Sequence, residues 1–92
     1  MGAPDLEARV TASTRSHPRV GFIVPRYKHT AVDRNRLKRR LRELVRRRLL
    51  AELAELPAVD LVIRAKPTAY QVAFASLAEQ IETLRDAVRK VQ

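Results

Sequence analysis

The chain has 92 residues and a mass of 10.5 kDa, carries a net charge of +9 and contains no cysteine. That length allows one domain with a single small core. The missing thiols exclude a disulfide framework and a thiolate metal site and fit a reducing, cytoplasmic setting. No apolar run approaches the roughly 18 residues of a membrane span, and Met1-Gly-Ala-Pro-Asp-Leu-Glu7 lacks the build of a signal peptide.

Residues 1–7 hold Gly2 and Pro4 without any period and read as a disordered start, leaving 8–92 as one domain. Ala8 to Thr14 alternates, with Val10, Ala12 and Thr14 on one side, which predicts a strand. Arg15-Ser-His-Pro18 is turn chemistry, and Arg19 to Val24 is a β-branched and aromatic run closed by Pro25. The two runs are expected to pair as a hairpin.

Thr30 followed by Asp33 predicts a capping box opening a helix that runs through about Leu56 to Pro57. Leu37, Leu41, Leu44, Val45, Leu49, Leu53 and Leu56 form a stripe at three- and four-residue spacing, fit to bury against a sheet. Leu61-Val-Ile63 reads as a short buried strand, and Lys66 to Ala69 as a loop. Ser76 with Glu79 predicts a second capping box, before a stripe of Leu77, Ile81, Leu84, Val88 and Val91. The order strand, strand, helix, strand, helix implies an α/β (α+β) two-layer sandwich.

Residues 34 to 48 dominate the electrostatics. Nine of these fifteen are Lys or Arg and one is acidic, a local +8 out of the total +9. Like charges at three- and four-residue spacing repel, so the leucine stripe must hold the helix while the cations face a polyanion. Forked guanidinium donors match phosphate oxygens, and Asn35 adds a neutral donor and acceptor to the row. Nucleic acid is the first partner implied. A membrane-surface helix lacks Trp or Phe on its apolar side, and a DNA-reading basic helix would normally run into a zipper rather than into Glu52, Glu55 and Pro57.

The run from Val24 to Glu43, with Ala31-Val-Asp-Arg-Asn-Arg-Leu-Lys-Arg39 inside it, resembles the signature of the bacterial ribonuclease P protein component. Pro18-Arg-Val-Gly-Phe22 upstream and Val59 to Pro67 downstream are similar to the strands that flank it in that family. The resemblance covers roughly residues 8 to 90. It implies a fold with a left-handed crossover between parallel strands, a catalytic RNA as partner, and precursor tRNA as substrate. Its activity would be endonucleolytic removal of the 5′ leader, with catalysis carried by the RNA and Mg²⁺ bound mainly by that RNA. Arg34, Asn35, Arg36, Lys38 and Arg39 would then bind RNA, joined by Arg40 and Arg42 on the helix and by Arg26 and Lys28 in the loop before it. Three departures stand out: the family's front helix and first strand are expected to be absent, His29 and Thr30 replace a usual Gly and Asn, and Tyr27 replaces a loop lysine. The alternative is a stand-alone RNA-binding or ribosome-associated module.

Tyr27 and Phe22 are candidates for stacking on a leader base, with a place in the core as the competing reading for Phe22. His17 and His29 have no second ligand at metal spacing, and no nucleophile–base constellation is present. Neither a catalytic residue nor an obligate protein partner is implied.

Overall fold

The computed structural model describes residues 2–12, 19–49 and 59–91. Strands β1 (Leu6–Ala12), β2 (Arg19–Ile23) and β3 (Val59–Ala65) form one sheet. Helix α1 (Ala31–Arg48) lies between β2 and β3 in the chain, and a 3₁₀ helix (Pro67–Gln71) leads to helix α2 (Phe74–Val91). The expected mixed sandwich of three strands and two helices is found, but the pairing within it differs.

The expected hairpin does not form. The strand order is β1-β3-β2, with β3 central, antiparallel to β1 and parallel to β2. Strands adjacent in sequence thus sit at opposite edges, and α1 provides the crossover that a parallel pair requires. The turn chemistry at residues 15–18 lies outside the described residues. The strand period sends one set of side chains to the helices. Val10 and Val20 flank Leu61, Ala8 and Phe22 flank Ile63, and Leu6 pairs with Ala65.

The start of the chain also departs from expectation. Residues 1–7 read as disordered from the sequence, yet within the described part of that segment Ala3, Asp5 and Leu6 are buried and β1 begins at Leu6. Polar groups fix this segment. The Asp5 backbone N–H donates to Gln80 Oε1 at 2.8 Å, and Gln80 Nε2 donates to Asp5 Oδ2 at 2.7 Å. Lys66 adds its backbone N–H to the Asp5 carbonyl and its Nζ to the Ala3 carbonyl. No apolar pattern announces these bonds, because they join residues far apart in sequence.

Between the sheet and the helices lies the core. Leu37, Leu41, Leu44 and Val45 enter it from α1, Leu49 from the C-cap of that helix, and Leu77, Ile81, Leu84 and Val88 from α2. Each fully buried leucine contributes about 1.5–3 kcal/mol relative to exposure. The stripe positions Leu53 and Leu56, and the helix end at Pro57, fall outside the described residues. Thr30 caps α1 as expected: its Oγ1 accepts from Asp33 N–H at 3.1 Å, and Asp33 Oδ2 accepts from Thr30 N–H at 3.4 Å. The second box does not form. Helix α2 starts at Phe74, the Ala73 carbonyl accepts the N–H groups of Ser76 and Leu77, and Ser76 is already inside the first turn.

Candidate nucleic-acid interface

The loop between β2 and α1 is fastened from three directions. The Arg34 Nε donates to the Val24 carbonyl at 2.7 Å, Tyr70 Oη to the Pro25 carbonyl at 2.6 Å, and Tyr27 Oη to the Ala65 carbonyl at 3.0 Å. A turn closed by His29 N–H on the Arg26 carbonyl puts Tyr27 at φ 54°, in the left-handed region that a non-glycine residue enters at a cost. Its hydroxyl bond and its edge-to-face contact with Tyr70, centroids 6.4 Å apart, hold it there. Burial holds the Tyr70 hydroxyl above its ordinary pKa, consistent with its service as a donor.

From this fixed base α1 presents its charges in two groups. Asn35, Arg36, Arg39 and Arg42 are exposed and Lys38 and Arg40 half-buried, and none has a protein hydrogen-bond or ion-pair partner among the described residues. The loop side chains of Arg26 and Lys28 are exposed and likewise have no partner among the described residues. Further along, Arg46 and Arg47 both bond Glu43, Arg47 at 2.6 Å, and Arg48 bonds Glu82 of α2. Hydrogen bonds from Arg46 and then Arg47 hold the Glu43 carboxyl below the usual carboxylate range. The capping bond from the Thr30 backbone does the same for Asp33.

The structure therefore brings Asn35, Arg36, Lys38, Arg39, Arg40 and Arg42 into one array, with Arg26 and Lys28 in the loop that leads to it. Arg34 is different: its Nε is committed to the backbone at Val24, so it positions the loop as well as adding charge. Phe22 is not available for stacking on a sheet-bound base. The register places its side chain on the helix-covered face, where it packs against the core. Tyr27 keeps 42% exposure beside its structural bond.

Among the described residues nothing covers the opposite face of the sheet. A groove of about 540 Å³ runs over it, lined by Glu7, Arg9, Ile23, Val62 and Arg64 among others, and Gly21 pairs with Val62 there without a side chain. The Arg64 guanidinium faces Glu7 at 3.7 Å, and Ile23 is 45% exposed. The residue pattern, read as a hairpin, does not place this surface; the family resemblance, with its parallel strands and a leader-binding cleft on the sheet, does imply it. Among the described residues no group of three or more His, Cys, Asp or Glu could hold a metal ion, and no helix is long and apolar enough to cross a membrane.

Known proteins resemble this arrangement. The family model described as Ribonuclease P matches residues 3–89. The ribonuclease P protein component of Mycolicibacterium paratuberculosis is 48% identical over 87 residues, covering 89% of this chain and 71% of the relative. That of Brucella suis is 40% identical over 70 residues, covering 76% of this chain and 48% of the relative. The chain spans about half the length of several such relatives. Among solved structures, the RNase P protein of Thermotoga maritima aligns with TM-score 0.76 at 23% identity, over 91% of this chain and 77% of that one. A Staphylococcus aureus RNase P protein mutant with defective mRNA degradation activity aligns with TM-score 0.79 at 19% identity, over 97% and 73%.

Proposed function

The chain belongs to the ribonuclease P protein family, and from that premise we propose that it acts as the protein subunit of ribonuclease P. It would bind the catalytic RNA and precursor tRNA in the cytoplasm and promote endonucleolytic removal of the 5′ leader. The observation that carries this reading is the row of cations on α1, Arg36, Lys38, Arg39, Arg40 and Arg42, without partners among the described residues, on a helix whose other side is locked into the core.

Such a row neutralises phosphates that the folded RNA and its substrate bring close together. Each contact releases condensed counterions, so affinity should fall by about 10³ to 10⁵ between 50 and 200 mM salt for six to ten contacts. The fastened loop before α1 limits the freedom the array loses on binding. Bond cleavage belongs to the RNA, where Mg²⁺, held mainly by RNA phosphates, would supply the activated water. The chain's own residues bind, screen and orient. The uncovered sheet face, with Arg9 and Arg64 beside the side-chain-free strip at Gly21, is the surface suited to a single-stranded leader.

The test is cleavage of a precursor tRNA by a bacterial ribonuclease P RNA at low Mg²⁺, with and without the protein. Rescue of correct 5′ processing is the expected result. Tight binding without rescue would instead favour a stand-alone RNA-binding module.

A further inference from the structure

A second recess lies at the front of α1. Its volume is about 280 Å³, and His29, Asp33, Arg36, Arg40 and Tyr70 stand around it. Positions 33, 36, 37 and 40 share one side of the helix, so Leu37 floors the recess from the core while its neighbours rim it. Across from them the His29 ring lies flat on Tyr70, centroids 3.9 Å apart and planes within 5°. Tyr70 is itself immobilised by its bond to the Pro25 carbonyl.

The chemistry of the walls is divided. Arg36 and Arg40 have no protein partner among the described residues. Asp33 turns its Oδ2 to the Thr30 N–H and to His29 Nδ1 at 3.6 Å, and no hydrogen bond from a described residue reaches its Oδ1. A phosphate suits the guanidinium side and is repelled by the carboxylate. An amino-bearing base edge suits the carboxylate, and an aromatic ring suits the His29–Tyr70 doublet. A duplex cannot present a base and its own phosphate to one small recess, whereas an extruded nucleotide can.

We infer that this recess takes a single unpaired nucleotide of the bound RNA, its base against the His29–Tyr70 doublet and its phosphate on Arg36 and Arg40. The inference rests on the RNA-binding reading and deepens it: the array grips phosphates in general, and the recess selects a bulge or an unstacked joint. His29 is then a specificity residue.

Two RNA hairpins, identical except for one unpaired adenosine, are titrated with the full chain at the same salt. The wild-type protein should prefer the bulged hairpin by about fivefold to a hundredfold, the range that one base stacked on an aromatic ring supplies. His29→Ala should abolish that preference with the melting transition intact, and His29→Phe should restore it. Equal affinity of the wild-type chain for both hairpins, or an undiminished preference in His29→Ala, overturns the recess and leaves the basic helix standing. Absence of salt-dependent binding to either hairpin overturns the helix reading, and the recess with it.

Discussion

Two cationic stretches of α1, a front one of five between Arg36 and Arg42 and a rear one of three from Arg46 to Arg48, put their charges to opposite uses. In the front half Arg36, Lys38, Arg39, Arg40 and Arg42 have no protein partner among the described residues. In the rear half Arg46 and Arg47 converge on Glu43, and Arg48 reaches across to Glu82. One acidic residue within the helix and one on its neighbour thus divide a uniform-looking basic run into a ligand-facing part and a part turned to the protein. The rear group also meets the negative end of the helix dipole, where cations are welcome, while Asp33 meets the positive end. Net charge alone overstates what is available to a polyanion.

Both halves hang on the same leucine stripe, so the largest expected effect comes from breaking it. Leu41 is fully buried at the middle of α1. Replacing a buried leucine by alanine costs about 2–5 kcal/mol, and a carboxylate in its place costs more. Against a total stability of about 5–15 kcal/mol, Leu41→Asp should unfold the domain and abolish RNA binding from both halves together. A cooperative, native-like thermal melt of that variant would show that the stripe is not what supports the array.

Next in size is the contrast itself. Neutralising Arg36 and Arg39 to Gln should reduce the slope of log affinity against log salt by about 2, one for each lost phosphate contact. The same change at Arg46 and Arg47 should alter the slope by less than about 1, because those groups already face Glu43. Both double variants should melt like the parent, since none of the four side chains enters the core. Equal slope changes in the two would erase the distinction between the halves.

Much of this helix was legible in the sequence. The Thr30–Asp33 box, the stripe through Leu37, Leu41, Leu44 and Val45, and the direction of the cations follow from local spacing, and local spacing is what a sequence displays. The pairing partner of a basic residue is less local. Glu43 is an i,i+3 and i,i+4 neighbour of Arg46 and Arg47 and could have been used to discount them, but Glu82 sits on another helix. The sheet shows the same limit. Two alternating runs around a Pro-containing turn look like a hairpin, and it is the burial demand of Leu61 and Ile63, met on both sides by β1 and β2, that puts β3 between them, in line with the parallel pair the family resemblance implies. Ser76 and Glu79 have the spacing of a cap without being one, because α2 begins two residues earlier. Phe22 was ambiguous until the register assigned it a face.

The smallest effect is the most discriminating, and it concerns Glu43. Its carboxyl, like that of Asp33, lies below the usual carboxylate range in the folded chain. As pH falls, the unfolded state therefore takes up protons first. The stabilisation is fully present above about pH 4–5, where unfolded carboxyls are ionised, and is lost as pH falls through the lowered folded values. These groups are exposed, so the change in melting temperature between pH 6 and 3 should be small, and Glu43→Gln should make it smaller still. An unaltered acid dependence in that variant would remove Glu43 as the group that ties the rear half down. At neutral pH the same substitution releases Arg46 and Arg47 without touching the core. If pairing, rather than position along the helix, is what separates the two halves, Glu43→Gln should steepen the salt dependence of RNA binding by up to about 2. An unchanged slope would mean that the rear half faces away from the RNA whatever its partners are, and geometry would replace charge pairing as the cause of the asymmetry.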